Sequence, residues 1–184
     1  MLEQFDLLGR LGDLPLNELD VLNLGAGTCS SPISKQFQEM DCRSLTNVEV
    51  WDAYFNTLSG LKFKTPVTNV HENLMPYILA QADKSTDVII MLDVIEHLAK
   101  DPAWIVVHEL FRVARQRVVL FLPIGVTPQE DLDGNEYQRH LSTWYLSDLP
   151  LLSTRCQRMS IKWYKEFHTH VKPAADAAWV VCDL

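Results

Sequence analysis

Two glycines, Gly25 and Gly27, follow directly on a short apolar run in VLNLGAGTCSSP. Glycine lets backbone approach a ligand closely and adopt positive φ. A turn from a strand into a helix also aims amide N–H groups outward, at the edge of an open α/β sheet where ligands bind. Asp52, in VEVWDAY, stands at the predicted end of a second strand. A carboxylate there accepts the ribose hydroxyls of an adenosine-containing ligand. The structural alternative is that Asp52 caps a helix starting at Ala53. Glu49, inside the predicted strand, is the weaker candidate. A dinucleotide fingerprint asks for a third small residue, usually glycine, where GAGTCS has Ser30, and there is no Walker lysine. The pattern therefore favours an adenosine-type ligand whose tail carries no phosphate.

A second group of reactive side chains follows the run DVIIML. Asp93, Glu96 and His97 come directly after it, and Tyr137 and His140 lie in a long polar stretch further on. Asp93, His97 and His140 are the candidates for acid–base work on a bound acceptor. Their structural alternatives are a helix N-cap for Asp93 and packing against the loop for His97. His168 and His170 are two apart on a predicted strand and would share one face, which is half a metal site. No third ligand and no HExxH motif accompanies them, so no metal is expected.

The elements that position these residues alternate between short apolar strands and helical segments. Strands are predicted at 20–24, 47–51, 64–69, 87–92 and 117–122, with a closing pair near 159–169 and 177–182. Pro173 and Asp176 lie between the last two, which suits a hairpin. Helices are predicted from Ser30 or Ser31 to about Met40, with Pro32 in the first turn, then at 53–61, 73–82, 94–113 with a break at Asp101-Pro102, and 145–152. The run at 87–92 is apolar on both faces, as a central parallel strand should be. Strands alternating with helices describe βαβ units in a doubly wound sheet. Between Ile124 and Ser142 the chain is long, polar and carries a DGN turn, the character of a lid.

The chain has 184 residues, which suits one domain over 1–184, and an apolar content of 47% is enough for a core. A net charge of −8 repels phosphate backbones, so nucleic acid is disfavoured as a partner. Arg112, Arg115 and Arg117 are the densest basic cluster and are expected to form a solvated helix end. The four cysteines form no CxxC pair. No apolar run is long enough to span a bilayer, and the acidic start MLEQFDLLGRLGD does not resemble a secretion signal. The expectation is a cytoplasmic protein with free thiols and no membrane contact, for which a homo-oligomer is allowed.

VLNLGAGTCS, VEVWDAY and DVIIMLDVIEHLAKD, in that order, resemble motifs I, II and IV of the class I S-adenosylmethionine-dependent methyltransferases. The DVIEHL stretch is similar to the small-molecule-type group that includes ubiquinone-biosynthesis-like enzymes. LPIGVTPQEDLDGNEYQRHLSTW looks like an insertion of uncharacterised prokaryotic and phage-type members. The resemblance covers residues 20–184. It implies an α/β, Rossmann-like, seven-stranded sheet of order 3-2-1-4-5-7-6 with strand 7 antiparallel. It also implies S-adenosyl-L-methionine as cofactor and a small-molecule methyl acceptor. Carried over by position, Gly25, Gly27 and Thr28 would pass under the methionine moiety, and Asp52 with Ala53 would hold the ribose. Asn69 and Val70 would stand at the adenine, and Leu92 and Asp93 would line the floor below the methyl group. The chain departs from the pattern at three positions: Asn23 replaces the usual acidic residue before the glycines, Cys29 replaces a third glycine, and Asn69 replaces the commoner aspartate. An amide at position 23 loses a charge-assisted bond to the ligand's ammonium group. That keeps a non-catalytic binding module open as the alternative. A nicotinamide-dependent oxidoreductase is disfavoured by the missing third glycine.

Overall fold

The computed structural model describes residues 3–132, 134–169 and 174–184, with no account of the Ser153 side chain. Seven strands form one sheet of order β3-β2-β1-β4-β5-β7-β6: β1 (Asp20–Leu24), β2 (Ser44–Glu49), β3 (Val67–His71), β4 (Thr86–Leu92), β5 (Ala114–Ile124), β6 (Arg158–His168) and β7 (Ala175–Asp183). The first five pair in parallel, and β7 runs antiparallel to both β5 and β6. The sheet order and the reversed strand are as expected. His170 and Pro173 lie outside the described residues.

Two apolar layers sandwich the sheet. One face packs against α2 (Leu74–Ala80) and α3 (Lys100–Val113), which bury Ile78, Val106 and Leu110. The other face is covered by α1 (Asp52–Ser59), the segment around Phe37 and Met40, and short 3-10 turns near the N-terminus that bury Leu7 and Leu11. The central strands β4 and β5 are buried on both faces, which is why their sequences read as unbroken apolar runs.

The helices depart from expectation in instructive ways. Residues 30–40 hold only a 3-10 turn, Ser34–Gln38. Side chains there compete for the backbone: Ser31 Oγ accepts from the Ser34 amide at 3.1 Å, and Gln36 donates to the carbonyls of Pro32 and Phe5. The helix expected over 94–113 is two pieces, a 3-10 turn at Ile95–His97 and then α3. The break falls before Lys100, because the Pro102 ring would clash with the Leu98 carbonyl in a continuous helix. The helix expected at 145–152 is a 3-10 turn, Leu149–Arg155. Asn73 caps α2 by accepting from the Met75 amide at 2.9 Å, with Pro76 in the first turn.

The expectation of a solvated arginine cluster fails at Arg117. Its side chain is 4% exposed and bridges Asp13 and Asp183, and it also donates to the Arg10 carbonyl. It ties the N-terminal turns to β5 and β7. Arg117→Met is therefore expected to lower stability by about 1–3 kcal/mol, since its charge-assisted hydrogen bonds to Asp13 and Asp183 are lost and only the exposed Arg158 remains paired with those carboxylates. Urea denaturation of the variant would show a lower midpoint; an unchanged midpoint would mean the bridge is energetically neutral.

Candidate active site

The site is built at the carboxyl edge of the sheet, where β1 and β4 lie side by side and their following loops part. After β1 the chain turns through Gly25 (φ +68°) and Gly27 (φ +57°). The two glycines serve different purposes. A Cβ at Gly25 would lie 2.5 Å from Val94 Cγ2, so that glycine lets the turn pack on the loop after β4. A Cβ at Gly27 would meet nothing within 4 Å, because it would project into a cavity. Cys29, also at positive φ, is buried, and burial pushes its thiol up to about 12, so it is inert at neutral pH.

β2 ends at Glu49 and not at Asp52, which corrects the strand boundary and moves the strand-end carboxylate. Glu49 is 6% exposed. One of its oxygens accepts from the Gly27 amide at 2.7 Å, and the other accepts from the amides of Val50 and Trp51 at 2.9 and 2.8 Å. Asp52 sits instead in the first turn of α1, with its side chain 83% exposed and 3.0 Å from His71 Nε2. Ala53 beside it is exposed. Neither lines the cavities described below. The amides that Glu49 accepts, those of the two residues that follow it, turn the chain out of the strand, a contact that the sequence pattern alone did not mark.

β3 shows a similar offset, ending at His71, so Asn69 and Val70 lie within the strand. Val70 packs into the core beneath. Asn69 closes an amide ladder across three strands: Asn23 Nδ2 donates to Asn47 Oδ1 at 2.9 Å, and Asn47 Nδ2 donates to Asn69 Oδ1 at 3.0 Å. The three residues are direct register partners. The residues that reach the cavity beyond β3 are Asn73 and Leu74.

Three adjoining cavities meet at Asp93 and Gln138. A pocket of about 100 Å³ lies among Gly25, Gly27, Glu49, Asn73, Leu74 and Tyr137. A basin of about 270 Å³ opens beside it, bounded by Asn23, Thr28, Tyr54 and Leu92 among others. On the other side a cavity of about 150 Å³ is walled by Asp93, Glu96, His97, Thr127, His140 and His168. Among the described residues no lysine or arginine lines any of the three, whereas Glu49, Asp93 and Glu96 do. An acidic lining suits a cationic ligand and disfavours a pyrophosphate.

Asp93 stands at φ +49° immediately after β4. Its Oδ1 is sealed from solvent without a hydrogen bond, while the side chain as a whole is 43% exposed. Burial pushes the Asp93 carboxyl up, and it pushes Glu96 up further because Asp93 lies beside it. His97 is pushed down to about 4 by burial and by the neighbouring His140, so the ring is neutral at pH 7. The His97 and His140 rings stand edge to face with centroids 4.8 Å apart.

The loop between β5 and the closing strands supplies the roof. Leu141 and Ser142 donate their amides to the Glu96 carbonyl at 2.8 and 3.0 Å, and His97 Nδ1 lies 3.2 Å from the Arg139 carbonyl oxygen. Tyr137 reaches across to Trp51, which precedes α1, ring centroids 6.4 Å apart. Gln138, which sequence reasoning did not single out, lines all three cavities.

No protein-family model matches the chain, and no curated protein sequence does. Solved structures do. An S-adenosylmethionine-dependent methyltransferase from Archaeoglobus fulgidus superposes with a TM-score of 0.70 at 13% identity, covering 96% of this chain and 91% of that one. A phosphoethanolamine N-methyltransferase of Haemonchus contortus, solved with phosphomonomethylethanolamine and S-adenosylhomocysteine, superposes at 0.67 and 10% identity, covering 96% of this chain and 51% of the other. An arsenic(III) S-adenosylmethionine methyltransferase from Chlamydomonas reinhardtii gives 0.57 at 16% identity, over 96% and 72% of the two chains. At these identities the likeness is one of fold, and the fold is the Rossmann-like one of class I methyltransferases. Among the described residues no helix is long and apolar enough to cross a membrane.

Proposed function

We propose that this chain transfers a methyl group from S-adenosylmethionine to a small-molecule acceptor. The observation that carries the reading is the pocket between Gly27 and Glu49: backbone without a side chain faces open space, a buried carboxylate stands at the strand end, and no lysine or arginine lines the wall among the described residues. These residues fit the cofactor. Glu49 keeps acceptor capacity for a ribose hydroxyl beyond the amides that it already holds. Leu74, Val50 and Val94 offer apolar contact to a purine. Asn23, whose Nδ2 is committed to Asn47, retains its amide oxygen as an acceptor for an ammonium group. When bound, S-adenosylmethionine supplies an electrophilic methyl group on a sulfonium.

The chain's own contribution is placement and exclusion of water. Leu92 and Asp93 form the floor between the cofactor pocket and the histidine-lined cavity. Asp93, common to both, is placed to hold the acceptor or take its proton. His97 and His140 line the acceptor side, and the loop carrying Tyr137 and Gln138 closes over both. The fold shared with methyltransferases supports the reading. The Asn23 amide favours a second one, a module that binds the cofactor without turnover, because the charge-assisted contact to the cofactor's ammonium is absent.

Calorimetry with S-adenosylhomocysteine and NAD tests the cofactor. Binding of the former alone is expected; binding of NAD alone, or of neither, would overturn the reading. Hydrogen exchange on the same samples is expected to show new protection over 125–142 on ligand binding. Protection confined to the region of Gly25 and Glu49 would mean that the loop is not a lid. Methyl transfer to added small molecules then separates enzyme from binding module.

A further inference from the structure

The cavity beside the cofactor pocket brings the adjacent pair Glu96 and His97 together with His140, which lies far along the chain. Glu96, His97 and His140 each offer one donor atom, and these atoms lie within 4.8 Å of one another. A first-row divalent ion bonded at about 2.0–2.2 Å to imidazole nitrogen and carboxylate oxygen asks for donor separations somewhat shorter than that. Small side-chain rotations about the present positions would close the set.

Two further observations point the same way. Glu96 is 2% exposed, and its Oε2 is buried with no hydrogen-bond partner. Such an oxygen is costly unless a proton or a cation joins it. Each histidine also turns its Nδ1 to a backbone carbonyl, His97 to Arg139 and His140 to Thr127. A ring whose Nδ1–H donates to a carbonyl carries its lone pair on Nε2, and this is the outer support that metal-binding histidines ordinarily have. Among the described residues no lysine or arginine lines the cavity to compete for the carboxylates.

We infer that Glu96, His97 and His140 form a site for a divalent transition-metal ion. Two imidazoles and one carboxylate are a borderline donor set, suited to zinc and its first-row neighbours and poorly suited to calcium or magnesium. Three protein ligands leave coordination positions open, as in reactive and not purely structural sites. Those positions face a cavity of about 150 Å³ that also holds Asp93 and His168, room enough for several waters. His97, on the turn after β4, and His140, on the roof, would then be cross-linked by the ion. The metal would clamp the loop to the sheet edge.

The test is equilibrium dialysis of the full chain, stripped with a chelator, against zinc and against cobalt. One ion per chain is expected. His97→Ala and His140→Ala should each weaken binding at least about 100-fold, and the near-isosteric Glu96→Gln by about 10-fold or more. Visible absorption of the cobalt-loaded protein should change in His140→Ala, since it reports nitrogen ligands directly. Absence of stoichiometric binding to the wild-type chain, or variants that are folded by circular dichroism and bind as the wild type does, would overturn the site. If the alanine variants fail to fold, unaltered zinc affinity in Glu96→Gln would do the same. S-adenosylhomocysteine calorimetry on the stripped protein is read separately, so loss of the metal site and loss of the methyltransferase reading are distinct outcomes.

Discussion

Glu49→Ala is expected to weaken S-adenosylhomocysteine binding about 100-fold, whereas Asp52→Ala leaves it within about twofold. The carboxylate at position 49 faces the pocket and Asp52 does not. Removing it takes away the proposed acceptor for a ribose hydroxyl. It also releases the amides of Gly27, Val50 and Trp51, which shape the pocket wall. Charge-assisted hydrogen bonds contribute about 1.5–3 kcal/mol each, and a tenfold change in affinity corresponds to about 1.4 kcal/mol, so one lost contact with partial collapse of the wall reaches the stated magnitude. Glu49→Gln keeps one acceptor and should fall between. Calorimetry on variants whose thermal unfolding is checked in parallel decides the matter. Wild-type affinity in a folded Glu49→Ala protein, or a large loss in Asp52→Ala, would return the ribose to Asp52.

Gly27→Val is expected to abolish detectable binding while the protein still folds. The residue sits at φ +57°, where an L side chain costs about 1–2 kcal/mol and a branched one more. The new side chain meets no protein atom, because its Cβ enters the space assigned to the ligand. The loss of stability is therefore modest and the loss of binding large. Gly25 offers the contrast: there a side chain collides with Val94, so Gly25→Ala should lower stability first and affinity only as a consequence. If Gly27→Val binds normally, the turn after β1 is not the cofactor loop. If it unfolds, Gly27→Ala, with a smaller side chain, provides the same comparison.

Among the described residues the metal site and these two variants probe separate walls of one crevice. Asp93 joins the walls, lining the pocket at Gly27 and Glu49, the basin and the histidine cavity alike. Its position after β4 was legible because a run buried on both faces announces a central strand, and the residue that ends such a strand stands at the ligand edge.

The sequence by itself determined what depends on near neighbours. The GAG turn, the apolar runs of β1, β4 and β5 and the long polar loop are properties of a few consecutive residues: their period, their glycines and their polarity. The order of the strands was reached through resemblance to a family, since periodicity does not say which strand lies beside which. Only the tertiary structure decided the rest. Which acid ends β2 depended on where the ladder to β3 stops, at the pair Glu49 and His71, and on the amides that Glu49 could then accept. The amide ladder of Asn23, Asn47 and Asn69 exists because three strands pair in one register. His97 meets the segment of His140 because bonds between residues distant in sequence, from His97 to the Arg139 carbonyl and from Leu141 and Ser142 to Glu96, fold the loop back on the sheet edge. Contacts of that separation are set by how whole elements pack and which buried polar groups must be paired, and no local pattern in the chain encodes them.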